Sequence, residues 1–202
     1  MVFVRPTRPR PAGAIETALE EDPRSEIWFR TGEATVLAAD GQYTDAMPEV
    51  LIGSTRGPAG QAFAGMMGQV QGHTRMFVVR DLNQLVRPAT MMTTKATIHT
   101  AAYVELLGGV VQAATGDAII DCVIEGVLPK DGLDDLCMII MIWLDPRCAD
   151  DANLDQKDLY RTNYEATKLA IARAIKGEPT IDELIANRKT VKHYALEDVI
   201  EY

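Results

Sequence analysis

The sequence predicts an α+β domain, an α/β sandwich in which helices pack on a mixed β-sheet. Three observations predict it. Short β-branched and aromatic stretches alternate with segments of helical spacing along most of the chain. The run Leu136–Leu144 (LCMIIMIWL) is apolar on both faces, as a strand covered on both sides is. The stretch YEATKLAIARAIKGEP carries apolar and alanine residues almost all round and stops at Gly177 ahead of Pro179, so it reads as a buried or interface helix.

Taken in order, residues 1–12 alternate Arg and Pro, a composition that favours an extended, solvated arm. Ala14–Glu21 reads as a short helix before Pro23. Ser25–Ala38 (SEIWFRTGEATVLA) reads as one or two strands around Gly32. Glu49–Gly53 is the end of a buried strand. A Gly- and Ser-rich turn follows it, then a helix over Pro58–Gln71 with Pro58 in its first turn. A strand end, tight loop and helix start together aim backbone N–H groups outward, a place suited to an anion or a polar ring. No complete Gly-rich fingerprint is present there, so an ordinary connection reads as well. Thr74–Leu82 and Met91–Ile98 read as strands. Thr100–Leu107 is helical, Gly108 and Gly109 interrupt it, and Val110–Ile124 forms a further helix stopped by Gly126 and Pro129. Asp134–Asp145 holds the central strand. Asp150–Tyr160 is a helix or ordered loop, and Asn163 caps the clearest helix. Thr180–Asn187 makes one more.

At 202 residues the chain is long enough to bury a real core. A formal net charge of −9 argues against a nucleic-acid partner. Apolar runs fall short of a membrane span, and prolines stand where a signal peptide needs an apolar centre, so no membrane insertion or secretion is expected. The odd number of cysteines (Cys122, Cys137, Cys148) shows no metal-ligand spacing, and reduced, cytoplasmic thiols are expected. The acid pairs Asp134/Asp135 and Asp150/Asp151 read as solvated helix starts, so no metal is expected. His73, His99 and His193 are far apart in sequence, and neither a Ser–His–Asp order nor a GxSxG elbow appears. Lys95 and Thr97, two apart on an expected strand, would project from one face, either into a sheet-end cleft or into solvent.

Several segments run in a characteristic order: GEA at Gly32–Ala34, VLIG with PAxxAF within Val50–Phe63, RPATMMTTKATI at Arg87–Ile98, EGVLP at Glu125–Pro129, DDL at Asp134–Leu136, ADDA at Ala149–Ala152, NYEATKLAIARAIKGEP at Asn163–Pro179, and RK at Arg188–Lys189. As an ordered set they resemble the formaldehyde-activating enzyme family of methylotrophic bacteria and methanogens. Residues 1–29 lie outside the resemblance, as does the tail beyond His193. This suggests a flexible extension at 1–29 and a formaldehyde-activating-enzyme-like domain at 30–202. The segment NLDQKDLYRT before Asn163 is several residues longer than the family's.

The resemblance implies a carbon–nitrogen lyase (hydro-lyase) that condenses formaldehyde with tetrahydromethanopterin, with no metal. It also implies a left-handed βαβ unit and a homopentamer with pterin clefts between neighbours. In the family a histidine before the Gly turn acts as acid, followed two residues later by an aspartate. Matched on VLIG, Met47 stands at the histidine's place and Glu49 at the aspartate's. The family's pterin-contacting lysine, threonine and glutamine match Lys95, Thr97 and Gln112, and a leucine falls at or next to Phe77. A thioether donates no proton, so Met47 cannot take the histidine's part. Glu49, expected to be partly buried, is the tentative replacement acid, because burial favours the neutral, proton-donating form. The implied protein is therefore a divergent member lacking the family's catalytic histidine, with weakened or altered condensation. The alternative is a non-catalytic pterin-binding or formaldehyde-sensing relative.

Overall fold

The strands β1 (Phe29–Glu33), β2 (Glu49–Ser54), β3 (Arg75–Phe77), β4 (Ala89–Thr94) and β5 (Leu136–Ile142) form a single mixed sheet. Their spatial order is β1–β2–β5–β4–β3, with β4 and β5 parallel and the other neighbours antiparallel. The α+β class read from the sequence is the observed one. The computed structural model describes residues 28–68, 75–191 and 193. The Arg–Pro arm, the helix expected at Ala14–Glu21, the end of the helix expected to reach Gln71, His73, Thr74 and the tail past residue 193 lie outside these residues.

β5 takes the centre because it is apolar at every position. Its Met138, Ile140 and Ile142 join Val50 and Ile52 of β2 and Met92 of β4 in one buried face. That face is covered by α3 (Gln112–Ile124) and α4 (Gln156–Lys176). α1 (Pro58–Met67) lies on the opposite face and opens on Pro58, as expected. The parallel pair β4/β5 is joined by a helical crossover, so the two strands and α2–α3 form a βαβ unit.

Several sequence expectations need correction. The double glycine does not break the crossover helix. α2 (Ala101–Leu106) passes through a π turn at Leu107–Val111 straight into α3. One rod of 24 residues results, Ala101–Ile124, long and apolar enough by composition to span a membrane, with half of its apolar window buried inside the fold. Asn163 is no cap. Asp155 caps α4 by accepting from the N–H groups of Lys157 and Asp158, and Asn163 is buried mid-helix. α4 does end at Gly177, whose φ of 68° is the left-handed value that favours glycine. The short helix α5 (Ile181–Ala186) carries a capping box from Thr180 and Glu183.

α3 and α4 are tied by a ladder at helical spacing. Tyr160 donates to Asp117 at 2.7 Å, Tyr164 to Asp121 at 2.6 Å, and Lys168 to Glu125 at 2.5 Å. Steps of four residues on both helices keep each pair on the shared seam.

The N-terminal turn of α4 anchors the 37–45 loop through Asp158. Its carboxylate accepts from the Ala39 N–H at 2.9 Å, from the Thr44 hydroxyl and from the Arg161 guanidinium at 2.7 Å. Burial alone would push this carboxyl up; the three donors outweigh it and hold the carboxyl below its usual value. A depressed folded value means stability that is present above the unfolded carboxyl value and lost as pH falls through the folded one. Asp158→Asn is therefore expected to cost about 2 kcal/mol at neutral pH. In paired thermal melts, the gap between wild type and variant should close as pH drops below the carboxylate range. A constant gap contradicts the assignment.

A candidate cleft on the open sheet face

The register sorts the second sheet face into rows. Phe29, Gly53, Cys137 and Ala89 form one row, and α1 sits close upon it: a Cβ added at Gly53 would lie 2.9 Å from the Ala59 Cβ. The next row is Thr31–Leu51–Ile139–Met91–Phe77; Leu51, Ile139 and Phe77 keep accessible apolar surface, forming a floor, whereas Met91 is buried beneath it. The row after that is Glu33–Glu49–Met141–Thr93–Arg75, polar at four of its five positions. Phe63 of α1 closes one side by packing on Phe77, ring centroids 5.9 Å apart. At the β1/β2 side, a cavity of about 730 Å³ lies between Glu33, Glu49, Leu51, Ile139 and Met141 and the α4–α5 turn. That volume is in the range of small-molecule sites.

Two sequence-predicted residues meet on this face. Glu49 opens β2, and Lys95 lies just past the end of β4. Although β5 separates their strands, the Lys95 Nζ is 2.5 Å from the Glu49 Oε1. The ion pair therefore crosses over β5 at the end of the open face, by the row of Glu49, Met141 and Thr93. The Lys95 N–H still donates to the Ile142 carbonyl at 2.8 Å, so backbone pairing continues one residue beyond the strand and holds the lysine stem in place.

Met47 joins the same face. The β1–β2 pairing continues past Glu49 in unchanged register, through the Ala34 N–H to the Pro48 carbonyl and the Val36–Ala46 bridge. Two residues on one extended strand share a side, so Met47 falls beside Glu49 and is half-buried.

Other expectations fare differently. The strand predicted over Met91–Ile98 ends at Thr94, and Lys95 and Ala96 lie in a bend. The two-residue repeat that paired Lys95 with Thr97 is therefore broken, and Thr97 lies exposed in the loop beyond. Glu49 is half-exposed, with 47% of its side chain accessible. The turn after β2 is not an open anion cradle. Its N–H groups are taken within the fold, Thr55 by the Asp135 carbonyl, Arg56 by the Ser54 hydroxyl and Gly57 by the Ser54 carbonyl. It also lies at the opposite end of β2 from Glu49.

Gln112 is buried and fully engaged within the fold. Its Oε1 accepts from the Val79 N–H at 3.1 Å, and its Nε2 donates to Met76 Sδ at 2.9 Å and to the Gly108 carbonyl at 3.3 Å. The Gln112 backbone N–H reaches Leu107, five residues back, which leaves the Gly108 carbonyl for the side chain. Gln112 thus locks the π turn to the β3 hairpin, which carries Phe77.

Burial pushes the Cys137 and Cys148 thiols up to about 11 and the Cys122 thiol to about 12, so all three are neutral at physiological pH. Among the described residues, no group of three or more His, Cys, Asp or Glu side chains converges to hold a metal. His99 lies exposed in the loop ahead of α2. Met141 and Thr93 carry no site signal in the sequence, and Leu51 and Phe63 stand there only as members of the VLIG and PAxxAF motifs. Each reads locally as core or strand filler, and only the cross-strand register gathers them into a cleft.

An apolar floor, a polar row and a charge pair at one sheet end make a cleft of small-molecule size on an α+β domain. The sequence model of the family described as formaldehyde-activating enzyme (Fae) matches residues 31–196. The chain is 36% identical over 146 residues to the 5,6,7,8-tetrahydromethanopterin hydro-lyase of Methanosarcina barkeri, a match covering 72% of this chain and 79% of that one. It is 35% identical over 167 residues to the bifunctional enzyme Fae/Hps of Methanosarcina mazei, covering 82% of this chain and 40% of that one. Against the bifunctional enzyme Fae/Hps of Methanothrix thermoacetophila the identity is 36% over 146 residues, 72% of this chain and 36% of that one. The chain belongs to the formaldehyde-activating enzyme family.

Proposed function

We propose that this protein binds tetrahydromethanopterin and formaldehyde on the open sheet face and condenses them to methylene-tetrahydromethanopterin and water, more slowly than a relative that carries the acid histidine. The observation that carries this reading is the Glu49–Lys95 pair, bridged across β5 beside Met47 and next to the apolar floor. The accessible floor residues Leu51, Ile139 and Phe77 suit the flat face of a pterin. Glu49 and Lys95 suit its polar edge, and Thr97 lies in the loop that follows Lys95.

The reaction asks for two things. A pterin amine must meet formaldehyde in a fixed geometry, which a cleft supplies by proximity. Hydroxide must then leave the carbinolamine, which a positioned proton donor assists. Met47 removes the second contribution at its position and leaves the first. Titrating the protein with tetrahydromethanopterin and following methylene-tetrahydromethanopterin above the spontaneous background tests both. Without saturable binding the pterin reading fails. Binding with no acceleration would favour the second reading, a pterin-binding or formaldehyde-sensing protein without catalysis, which the Met47 substitution independently suggests.

Glu49 lies two residues from Met47 on the same extended strand and is held on the open face by Lys95. Glu49→Gln is expected to lower the rate above background by about 10², with tetrahydromethanopterin still bound. An unchanged rate in a progress-curve assay removes Glu49 from the chemistry.

We also propose a homopentamer with clefts completed by neighbours, acting in cytoplasmic one-carbon metabolism of the methylotrophic type. The exposed apolar residues Ile181, Leu184 and Ile185 on α5, beside the open cavity, support subunit association. The buried free thiols suit a reducing compartment. Light scattering on the purified protein is expected to give a mass five times that of the chain; a monomer contradicts the assembly.

A further inference from the structure

We infer that Lys95 carries formaldehyde covalently, as an iminium that it hands to the pterin, and that Glu49 shuttles the proton this requires; the inference rests on the pterin reading of the cleft. Three observations lead to it. The Lys95 Nζ crosses β5 at the end of the open face, and the side chain retains 24% exposure, so a small aldehyde can reach it. Its partner is a carboxylate oxygen at 2.5 Å, close enough to take an ammonium proton without a solvent intermediary. The third is Met47, on the same face, a thioether that neither gives nor takes a proton and makes the local surface apolar.

In water the charged pair is favoured. A flat ligand over the floor removes solvent from the half-exposed Glu49, and desolvation favours the neutral pair, amine and carboxylic acid. The steps then balance. The Lys95 ammonium gives one proton to the Glu49 carboxylate, leaving a free amine. The amine nitrogen attacks the formaldehyde carbon, the C=O π pair moves to oxygen, and a proton passes from nitrogen to that oxygen to give the carbinolamine. The nitrogen lone pair then expels hydroxide, which takes the proton from the Glu49 carboxyl and leaves as water. What remains is a protonated Lys95 imine beside a Glu49 carboxylate, one charge of each sign as at the start. A pterin amine attacks the methylene carbon, its displaced proton moves to the lysine nitrogen, and Lys95 departs as the amine while the second pterin nitrogen closes the ring. The proton released by that second nitrogen restores the ammonium.

A covalent lysine iminium divides one difficult step into two, and the second transfer starts from an activated carbon. The pair thus supplies a nucleophile and an acid where Met47 supplies neither.

The test traps the imine. The full-length protein is saturated with methanopterin, the oxidised pterin with no nucleophilic ring amine, then exposed briefly to isotope-labelled formaldehyde and cyanoborohydride, and methylation is mapped by peptide mass spectrometry. Lys95 is expected to be labelled at least about ten times faster than the exposed Lys130, Lys157 and Lys176, and Glu49→Gln should bring it down to their rate. Labelling of Lys95 no faster than these lysines overturns the inference. Lys95→Arg keeps the positive charge but forms no imine, and condensation should fall to the spontaneous background while tetrahydromethanopterin still binds. A wild-type rate in that variant also overturns it. A wild-type protein that binds neither pterin fails on the reading of the cleft itself. One that binds pterin without trapping at Lys95 fails on the covalent step alone.

Discussion

Met47→His is expected to raise the rate of methylene-tetrahydromethanopterin formation by about 10² to 10³, the usual contribution of a positioned general acid. The register that places Met47 beside Glu49 on the open face does not depend on the side chain at 47. An imidazole there would stand next to the Glu49–Lys95 pair, and it titrates near physiological pH, where a proton is both available and transferable. The gain should appear in the rate at saturating pterin, with binding little changed, because the apolar floor stays as it is. It should also follow the protonated fraction of the histidine and fade as pH rises. Initial rates over a pH series, corrected for the spontaneous reaction, check both points. A variant that folds and binds pterin yet gains no rate would show that the missing acid is not what limits this cleft.

The largest expected effect on stability comes from the opposite sheet face. Gly32 of β1 lies directly under α4: a Cβ added there would stand 2.3 Å from the Ala170 carbonyl oxygen and 2.6 Å from the Ala174 backbone nitrogen. Both obstructing atoms are main chain inside a helix, so neither can rotate away. Ala170 and Ala174 are themselves fully buried, which shows how close the helix comes. Gly32→Ala must therefore lift α4 off the sheet or bend β1. The expected cost is about 3 kcal/mol, the upper end of the usual overpacking range. Because α4 also holds the 37–45 loop through Asp158, the lift should loosen the approach to β2 and with it Met47 and Glu49. Chemical denaturation should show a lower midpoint, and pterin affinity should weaken in parallel. Wild-type stability in Gly32→Ala would contradict the packing.

These effects trace to residues whose importance differs in how visible it is along the chain. Gly177 and Pro179 mark the end of α4 in the sequence because the left-handed turn is a local backbone property. The start of α4 lies eight residues ahead of Asn163, since Asn163 and Asp155 are both good caps and only packing chooses between them. Gly108–Gly109 reads as a break for the same local reason. The fold keeps the helix because Gln112 takes up the bypassed Gly108 carbonyl, a contact to the π turn and to β3 that no window of sequence contains.

The sequence by itself determined the α+β class, the central place of the Leu136–Ile142 strand, the helix on Pro58, the end of α4 and, through an ordered set of motifs, the family. All of these rest on periodicity, backbone preference or residue order, which are written along one dimension. Only the tertiary structure decided that Glu49 is exposed, that Lys95 reaches it over β5, that Thr97 leaves the strand and that Gln112 serves the fold. The reason is physical. A strand's neighbours are fixed by hydrogen-bond register between segments distant in the chain, and the β5 row that joins residue 49 to residue 93 is set by the collective burial of the other face. The chemistry of this cleft is a property of that register.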